Sequence, residues 1–370
     1  MREKLLKTPQ GAESIFLDEA YKHEKINEAI NNIYIGWGYL PIKTPVFDYY
    51  ETYDKLLSED SKKNCFRLMD RDGELLLLRN DITLFLARQL GRVTKKDDVM
   101  RVHYADSILR HQSEIDISTN EFFQTGAELV GAKGLSGDLE AITLLNKIIS
   151  ELKLPKTRIH LGSRAILDGI LSKFKSINSD RLITLINLRD RSSILNYLVE
   201  YMDKDIALKV VELFLFIGTY DEYTTYVEKN KEFLKNINVG NETDYLLLIG
   251  KNLKELNLVS SFRFDLSEVA SRDYYTGIVF KAYTQNVDSA IASGGRYDQL
   301  ISSFGEAIPS VGFSILLRKI EDKLDDKRFN PPEIVSVKCE GNFVEAYTKA
   351  ETLRKSGNSV IITGQPIGDK

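Results

Sequence analysis

The residues of this 370-residue chain that could do chemistry fall in a few short segments. Asp81 and Thr83 stand in RNDIT, Gln124 and Glu128 in FFQTGAELV, Tyr274 and Tyr275 in RDYYTG, and Gly294, Gly295 and Arg296 in SGGRYD, while Arg110 closes YADSILR. Taken singly, each has an ordinary explanation. Gln124 and Glu128, four residues apart, share one face of a strand and would ordinarily meet water. A tyrosine pair mainly supplies buried area. Adjacent glycines mark a turn, and a lone arginine at a strand end is a solvated charge. The charge pattern around them is less ordinary. Between Arg110 and Lys133 there is no lysine or arginine, whereas Glu114, Asp116, Glu121 and Glu128 are acidic. Chemistry on phosphate groups needs cations set against the developing negative charge, and this stretch carries the opposite sign.

These segments need elements to position them. Asp18 can cap a helix running to about Gly36, with Leu17 before it and Ile26, Ala29, Ile30 and Ile33 as its apolar stripe. In GYLPIKTPVFDYYETY, Pro41 and Pro45 forbid a helix interior, and the aromatic and β-branched residues predict an extended strand. The turn residues 70–73 between apolar runs predict a β-hairpin. A helix is expected over 81–90, strands over 102–110 and 122–131, and an amphipathic helix over 139–152. After a strand at 158–161, residues 164–257 carry helical pattern, and strands resume at 262–266 and 278–283. The charged, proline-containing stretch 325–332 reads as a linker before a short βαβ segment. Strands with helices gathered beside and between them predict an α+β fold. The expected organisation is a core over 1–323, split by a helical insertion at 164–257, and a small segment at 333–370.

Composition narrows the class. Hydrophobic residues at 43% and charged residues at 28% describe a globular chain without a membrane span. Fifty basic against 54 acidic residues give a net charge of -4, which argues against nucleic acid as a partner. Cys65 and Cys339 are far apart and lack a CxxC spacing, so neither a disulfide framework nor a zinc site is expected. The N-terminus lacks a signal-peptide apolar run, and a cytoplasmic location is expected.

Read together, GYLPIKTPVFDYY (38–50), LLLLRNDITLFLAR (75–88), the stretch 104–131, and DYYTGIVFKAY with SGGRYDQL and PSVGFSI (273–315) resemble the class II catalytic core of histidyl-tRNA synthetases. The motifs keep their order over roughly residues 10–320. Within that superfamily the wording is most similar to the regulatory subunits of ATP phosphoribosyltransferase, which support the first step of histidine biosynthesis. The resemblance implies a class II synthetase-like antiparallel sheet with flanking helices, a helical insertion and a short C-terminal βαβ appendage. It also implies a histidine pocket. A histidine ligand needs an anion and polar acceptors for its ammonium and paired groups for its ring nitrogens. By resemblance Asp81, Thr83 and Gln124 hold the amino group, Glu128, Tyr274 and Tyr275 surround the ring, and Arg110 contacts the carboxylate. Gly294, Gly295 and Arg296 back the pocket. Aspartate at position 81 is more frequent in the regulatory subunits than in the synthetases.

The chain departs from the synthetase pattern where activation chemistry sits. The arginine of an RGLDYY-like pattern aligns with Ala270 in ASRDYY, with Arg272 two residues nearer. Motif 2 arginines align with neutral positions near Ser118 and Asn120, and GFAIGLER becomes GFSILLRK, placing Leu316 and Lys319 at the glycine and arginine positions with Arg318 alongside. One lost preorganised donor typically costs about 100- to 1000-fold in rate. The resemblance therefore implies a non-catalytic subunit without metal or cofactor, with histidine as its effector and the short-form catalytic subunit of ATP phosphoribosyltransferase as its partner. Motif 1 around Pro45 implies a homodimeric core within a hetero-oligomer. The alternatives are a working histidyl-tRNA synthetase, for which the C-terminal segment is about half the expected anticodon-binding length, and a stand-alone histidine sensor.

Overall fold

The computed structural model describes residues 8–9, 11–95, 98–111, 120–269 and 274–364. It divides into two compact units: Asn27–Leu324 with the N-terminal stretch up to Ser14, and Ile15–Ile26 with the chain from Asp325 onward. The helix α1 (Leu17–Gly36) leads into β1 (Leu40–Pro41) and β2 (Phe47–Tyr49). The single extended run expected here is thus two short strands, and residues 50–56 coil into 3-10 turns. Pro41 and Pro45 remove N–H donors from any ladder, and turning the chain inward seats Tyr53 against Phe85, their rings 4.8 Å apart.

A short helix α2 (Glu59–Asn64), capped by Ser58, precedes β3 (Arg67–Met69) and β4 (Leu75–Leu78). These pair as the expected hairpin, and β2 joins it to give the order β2-β4-β3. Next come α3 (Ile82–Val93), β5 (Met100–Leu109), β6 (Glu121–Val130), α4 (Gly134–Glu151) and β7 (Arg158–Ser163). The helical stretch holds α5 (Arg164–Lys173), α6 (Ser179–Leu188), α7 (Arg191–Leu198) and α8 (Lys204–Phe214). It continues through β8 (Ile217–Gly218) to α9 (Tyr220–Asn236) and α10 (Gly240–Glu255). Then follow β9 (Phe262–Asp265), β10 (Ile278–Tyr283), β11 (Ala292–Arg296), β12 (Ser310–Leu316) and α11 (Leu317–Glu321). No helix among the described residues is long and apolar enough to cross a membrane.

The main sheet has nine strands in the order β1-β5-β6-β12-β11-β10-β7-β9-β8, antiparallel except for β1 with β5 and β7 with β9. This α+β architecture, mainly antiparallel with flanking helices, is the class expected from the sequence. Strands β11 and β12 were not expected as strands. ASGGR has low β propensity, and it is the ladder to β10 and β12 that holds it extended.

Register decides what shares a face. Directly paired residues point the same way. Val102, Glu128, Gly312, Gly295 and Val279 therefore form one row across five strands. Tyr104, Gly126, Ser314, Ser293 and Lys281 form the next. Runs of glycine and serine in mid-sheet leave a trough on this face. On the other face Tyr34 of α1 stacks on His103 at 5.0 Å and lies 6.3 Å from Phe313.

In the second unit β13 (Ile334–Cys339) and β14 (Ser359–Gly364) pair in parallel, and α12 (Phe343–Lys355) connects them. Val337, Ala346, Ala350 and Val360 make its small core.

Arg79, only 1% exposed, holds the turn before α3 to the sheet. Its guanidinium donates to the carbonyls of Ser107 (2.7 Å) and Thr44 (3.0 Å), to the Thr44 hydroxyl (2.9 Å), and pairs with Asp106 at 2.5 Å. Removing one member of a buried ion pair leaves its partners unsatisfied. Arg79→Met is expected to lower unfolding free energy by about 3 kcal/mol, read as a reduced midpoint in urea.

Candidate functional site

The trough closes into a recess of about 20 Å³ beneath α3 and the tyrosines at 274 and 275. Asp81 enters it from the N-cap of α3, where one carboxylate oxygen accepts the Leu84 N–H at 3.3 Å. A carboxylate there meets the positive end of the helix and its unpaired N–H groups. The other oxygen accepts the Tyr274 hydroxyl at 3.1 Å.

Thr83, on the first turn of α3, donates to Glu128 Oε1 at 2.7 Å, and Tyr297 donates to Glu128 Oε2 at 2.6 Å. Glu128 is 1% exposed and Gln124 is 5% exposed. The water-facing reading of this strand face is therefore overturned. Helix α3 and the tyrosines cover it, and what would have been a wet surface becomes the wall of a recess. Gly312 makes room for the carboxyl: a Cβ there would lie 1.5 Å from Glu128 Oε2. Gly295 does the same for Tyr275, whose ring carbon would lie 2.8 Å from a Cβ. Tyr274 sits edge-on to Tyr275 at 5.2 Å and to Tyr297 at 5.8 Å.

Burial pushes the Glu128 carboxyl up to about 8, and the Asp81 charge adds to this, against the opposing hydrogen bonds from Tyr297, Thr83 and Tyr104. Burial likewise holds Tyr104 and Tyr297 well above the ordinary tyrosine value, so both remain hydroxyl donors. Among the described lining residues are two carboxyls, seven hydroxyls and a carboxamide, with no lysine, arginine or histidine. Such a lining accepts hydrogen bonds from a cation and offers an anion no countercharge.

Six of the seven expected ligand-binding residues line this recess together: Asp81, Thr83, Gln124, Glu128, Tyr274 and Tyr275. Arg110 does not. It bridges to Cys65 and lies over the Phe122 ring, 5.1 Å from its centre. Of the backing residues, Gly294 and Gly295 lie in mid-sheet on β11. Arg296 lies outside the recess, bonded to Asp138 at 2.7 Å, to Asp298 at 3.0 Å, and to the carbonyls of Ala132 and Gly134. Tyr245 of α10 donates to the same Asp138 at 2.6 Å, which ties the helical stretch to the sheet. Sequence reasoning missed Tyr104, Ser293, Tyr297, Gly312 and Ser314. Tyr297 directly follows the quoted GGR, but nothing in one strand's sequence says which residue of another faces it. Ala270, Arg272 and the acidic stretch around Ser118 lie outside the described residues, whereas Leu316 ends β12 opposite Gln124.

The cations near this face are engaged elsewhere. Arg318 pairs with Glu13 at 2.8 Å and Glu321 at 2.5 Å. Lys319 contacts the Ser289 hydroxyl. Lys281 pairs with Glu268 at 2.6 Å and Arg189 with Asp265 at 2.7 Å. His160, Asp265 and Glu268 bring possible metal-ligand atoms within 4.8 Å of one another. Burial alone would raise Asp265, but hydrogen bonds from His160, Ser267 and Arg189 hold it at about 2. With Tyr283 also donating to Glu268 at 2.7 Å, these carboxylates already have Arg189, Lys281, His160, Ser267 and Tyr283 as partners. The cluster reads as a buried ion network that needs no metal.

Residues 11–320 match the family model described as histidyl-tRNA synthetase. The chain belongs to this family. Curated relatives include the ATP phosphoribosyltransferase regulatory subunit of Thermoanaerobacter sp. (strain X514), 29% identical over 367 residues, 95% of this chain and 93% of that protein. The protein of the same name from Halothermothrix orenii is 28% identical over 326 residues, 86% of this chain and 76% of that one. Among solved structures, an ATP phosphoribosyltransferase regulatory subunit/histidyl-tRNA synthetase from Bacillus halodurans superposes with a TM-score of 0.84 at 23% identity, covering 99% of this chain and 94% of that one. Histidyl-tRNA synthetase from Nostoc sp. PCC 7120 gives 0.79 at 21% identity, covering 98% and 86%. The two structures establish the shared fold.

The buried carboxyl has a measurable consequence. In the unfolded chain Glu128 loses its proton near the usual value of about 4.5, but in the fold near 8, so the folded state holds the extra proton between them. Its contribution is fully present below about pH 4.5 and is lost as pH rises toward 8. Glu128→Gln, which cannot ionise, is expected to gain stability relative to wild type across that window, read from urea midpoints at several pH values.

Proposed function

We propose that this chain is a non-catalytic regulatory subunit of ATP phosphoribosyltransferase, required by a short-form catalytic subunit and conveying feedback inhibition by histidine. One observation carries the reading: a small recess built for an organic cation, inside a chain whose relatives over nearly its whole length bear that name. In this reading histidine binds with its ammonium toward Asp81, Thr83 and Gln124 and its ring toward Glu128 and the tyrosines. The chain's own adenylation activity is lost in this reading. Activation would need free cations beside the α-phosphate, and Arg318, Lys281 and Arg189 are each held by a carboxylate.

A ligand that binds one conformation more tightly shifts the population by that differential affinity, with no chemistry of its own. Histidine, the end product, would act on the partner enzyme in this way. A homodimeric core around Pro45, a docked catalytic subunit and a cytoplasmic location complete the proposal. The rival reading, an active synthetase, draws on the family's name and on the fold shared with the Nostoc enzyme.

Calorimetric titration of the purified chain with L-histidine and, separately, with ATP tests both readings. Histidine binding without ATP binding, and histidine-dependent pyrophosphate exchange at background, are the expected results. Robust exchange would overturn the regulatory assignment. Addition of the chain to a short-form catalytic subunit is expected to switch on phosphoribosyl transfer in a histidine-sensitive manner.

A further inference from the structure

In the recess Glu128 faces three hydroxyl groups, those of Thr83, Tyr297 and Tyr104, and a second carboxylate, Asp81. Tyr34, buried behind the sheet, also feels its charge. No basic side chain is among the described lining residues. The hydroxyls suit an ionised carboxylate, since each can donate to an oxygen that only accepts. The neighbouring Asp81 and the burial favour the neutral acid instead. Gly312 leaves the carboxyl room against the strand, and the Thr83 and Tyr297 hydroxyls hold its two oxygens in place. None of the described lining residues supplies a positive charge, and a ligand that brings or acquires one resolves the conflict.

Building on the reading that histidine occupies the recess, we propose that Glu128 hands its proton to the imidazole of the bound ligand, leaving an imidazolium–carboxylate pair. The Glu128 O–H bond breaks, an N–H bond forms on the unprotonated ring nitrogen, and no proton is exchanged with water near neutral pH. The pair then takes hydrogen bonds from Thr83 and Tyr297 on one side and the ring on the other, while Asp81 offsets the ligand's ammonium. Selectivity follows from basicity. A ring of similar shape that cannot accept a proton leaves the buried acid unmatched.

One proton serves two sites, which fixes the pH window. Below the free imidazole value of about 6.5 both ring and Glu128 carry protons and one must leave on binding. Above about 8 neither carries one and binding must draw one from water. Affinity is flat between these limits and falls on either side.

The test is nitrogen NMR of ring-15N-labelled L-histidine bound to the full chain across this range. At about pH 7.5, where the free ring is neutral, the wild-type complex is expected to show both ring nitrogens protonated. In Glu128→Gln the bound ring is expected to be neutral at the same pH. A bound wild-type ring with one bare nitrogen overturns the proton transfer and leaves the histidine reading standing. Failure of histidine to bind at any pH overturns that reading and the transfer with it. Should Glu128→Gln not fold, the wild-type complex still decides. A bound-ring titration midpoint at or above about 8 supports the transfer, and one near the free value of about 6.5 overturns it.

Discussion

A carboxyl group buried in mid-sheet is the constraint around which this structure is arranged. Removing a carboxylate from water is costly unless hydrogen bonds or a countercharge compensate. Glu128 has hydroxyl partners on both oxygens and no fixed cation among the described lining residues, so burial leaves it holding a proton. Each neighbouring feature follows from accommodating it. Gly312 is a glycine because a side chain there would collide with Oε2. Helix α3 starts where it does so that Thr83 reaches Oε1 while Asp81 caps the helix. Tyr297 leaves the end of β11 to reach Oε2.

The surrounding ion pairs keep this geometry from being satisfied in a simpler way. Arg79 joins the turn at Thr44 to β5, and so sets α3 over the sheet. Arg296 joins β11 to the start of α4 through Asp138 and the carbonyls nearby. On the neighbouring part of the same face, Lys281 and Arg189 are neutralised by Glu268 and Asp265. These cations among the described residues thus serve the architecture, and the described lining of the recess is acidic. That is the reverse of what polyphosphate chemistry requires, and it agrees with a site that binds without reacting.

Much of this was legible in the residues. The strands expected at 158–161, 262–266 and 278–283 and the helix expected over 139–152 carry apolar patterns whose burial needs no tertiary information to anticipate, and they form over 158–163, 262–265, 278–283 and 134–151. Strands β11 and β12 were not legible, because glycine and serine have little strand preference of their own and are held extended by their neighbours' hydrogen bonds. The proline-bearing run near residue 45 misled in the other direction. Its composition favours extension, yet Tyr53 gains more by turning inward onto Phe85.

The sequence alone determined which chemistry was possible: acidic and hydroxyl side chains in segments whose order resembles one enzyme family, and a motif 2 stretch without cations. It could name Asp81, Thr83, Gln124, Glu128 and the tyrosine pair because their local motifs mark them. The tertiary structure decided which of them meet. Strand register set Gly312 beside Glu128 and Gly295 beneath Tyr275, and chain path brought Tyr297 to a residue 169 positions away. It also turned Arg110 onto Phe122 instead of into the recess. The reason is physical: a side chain's type is written locally, but its desolvation and its partners come from strands and helices distant in sequence, and these are what convert an ordinary glutamate into a buried carboxyl that holds its proton.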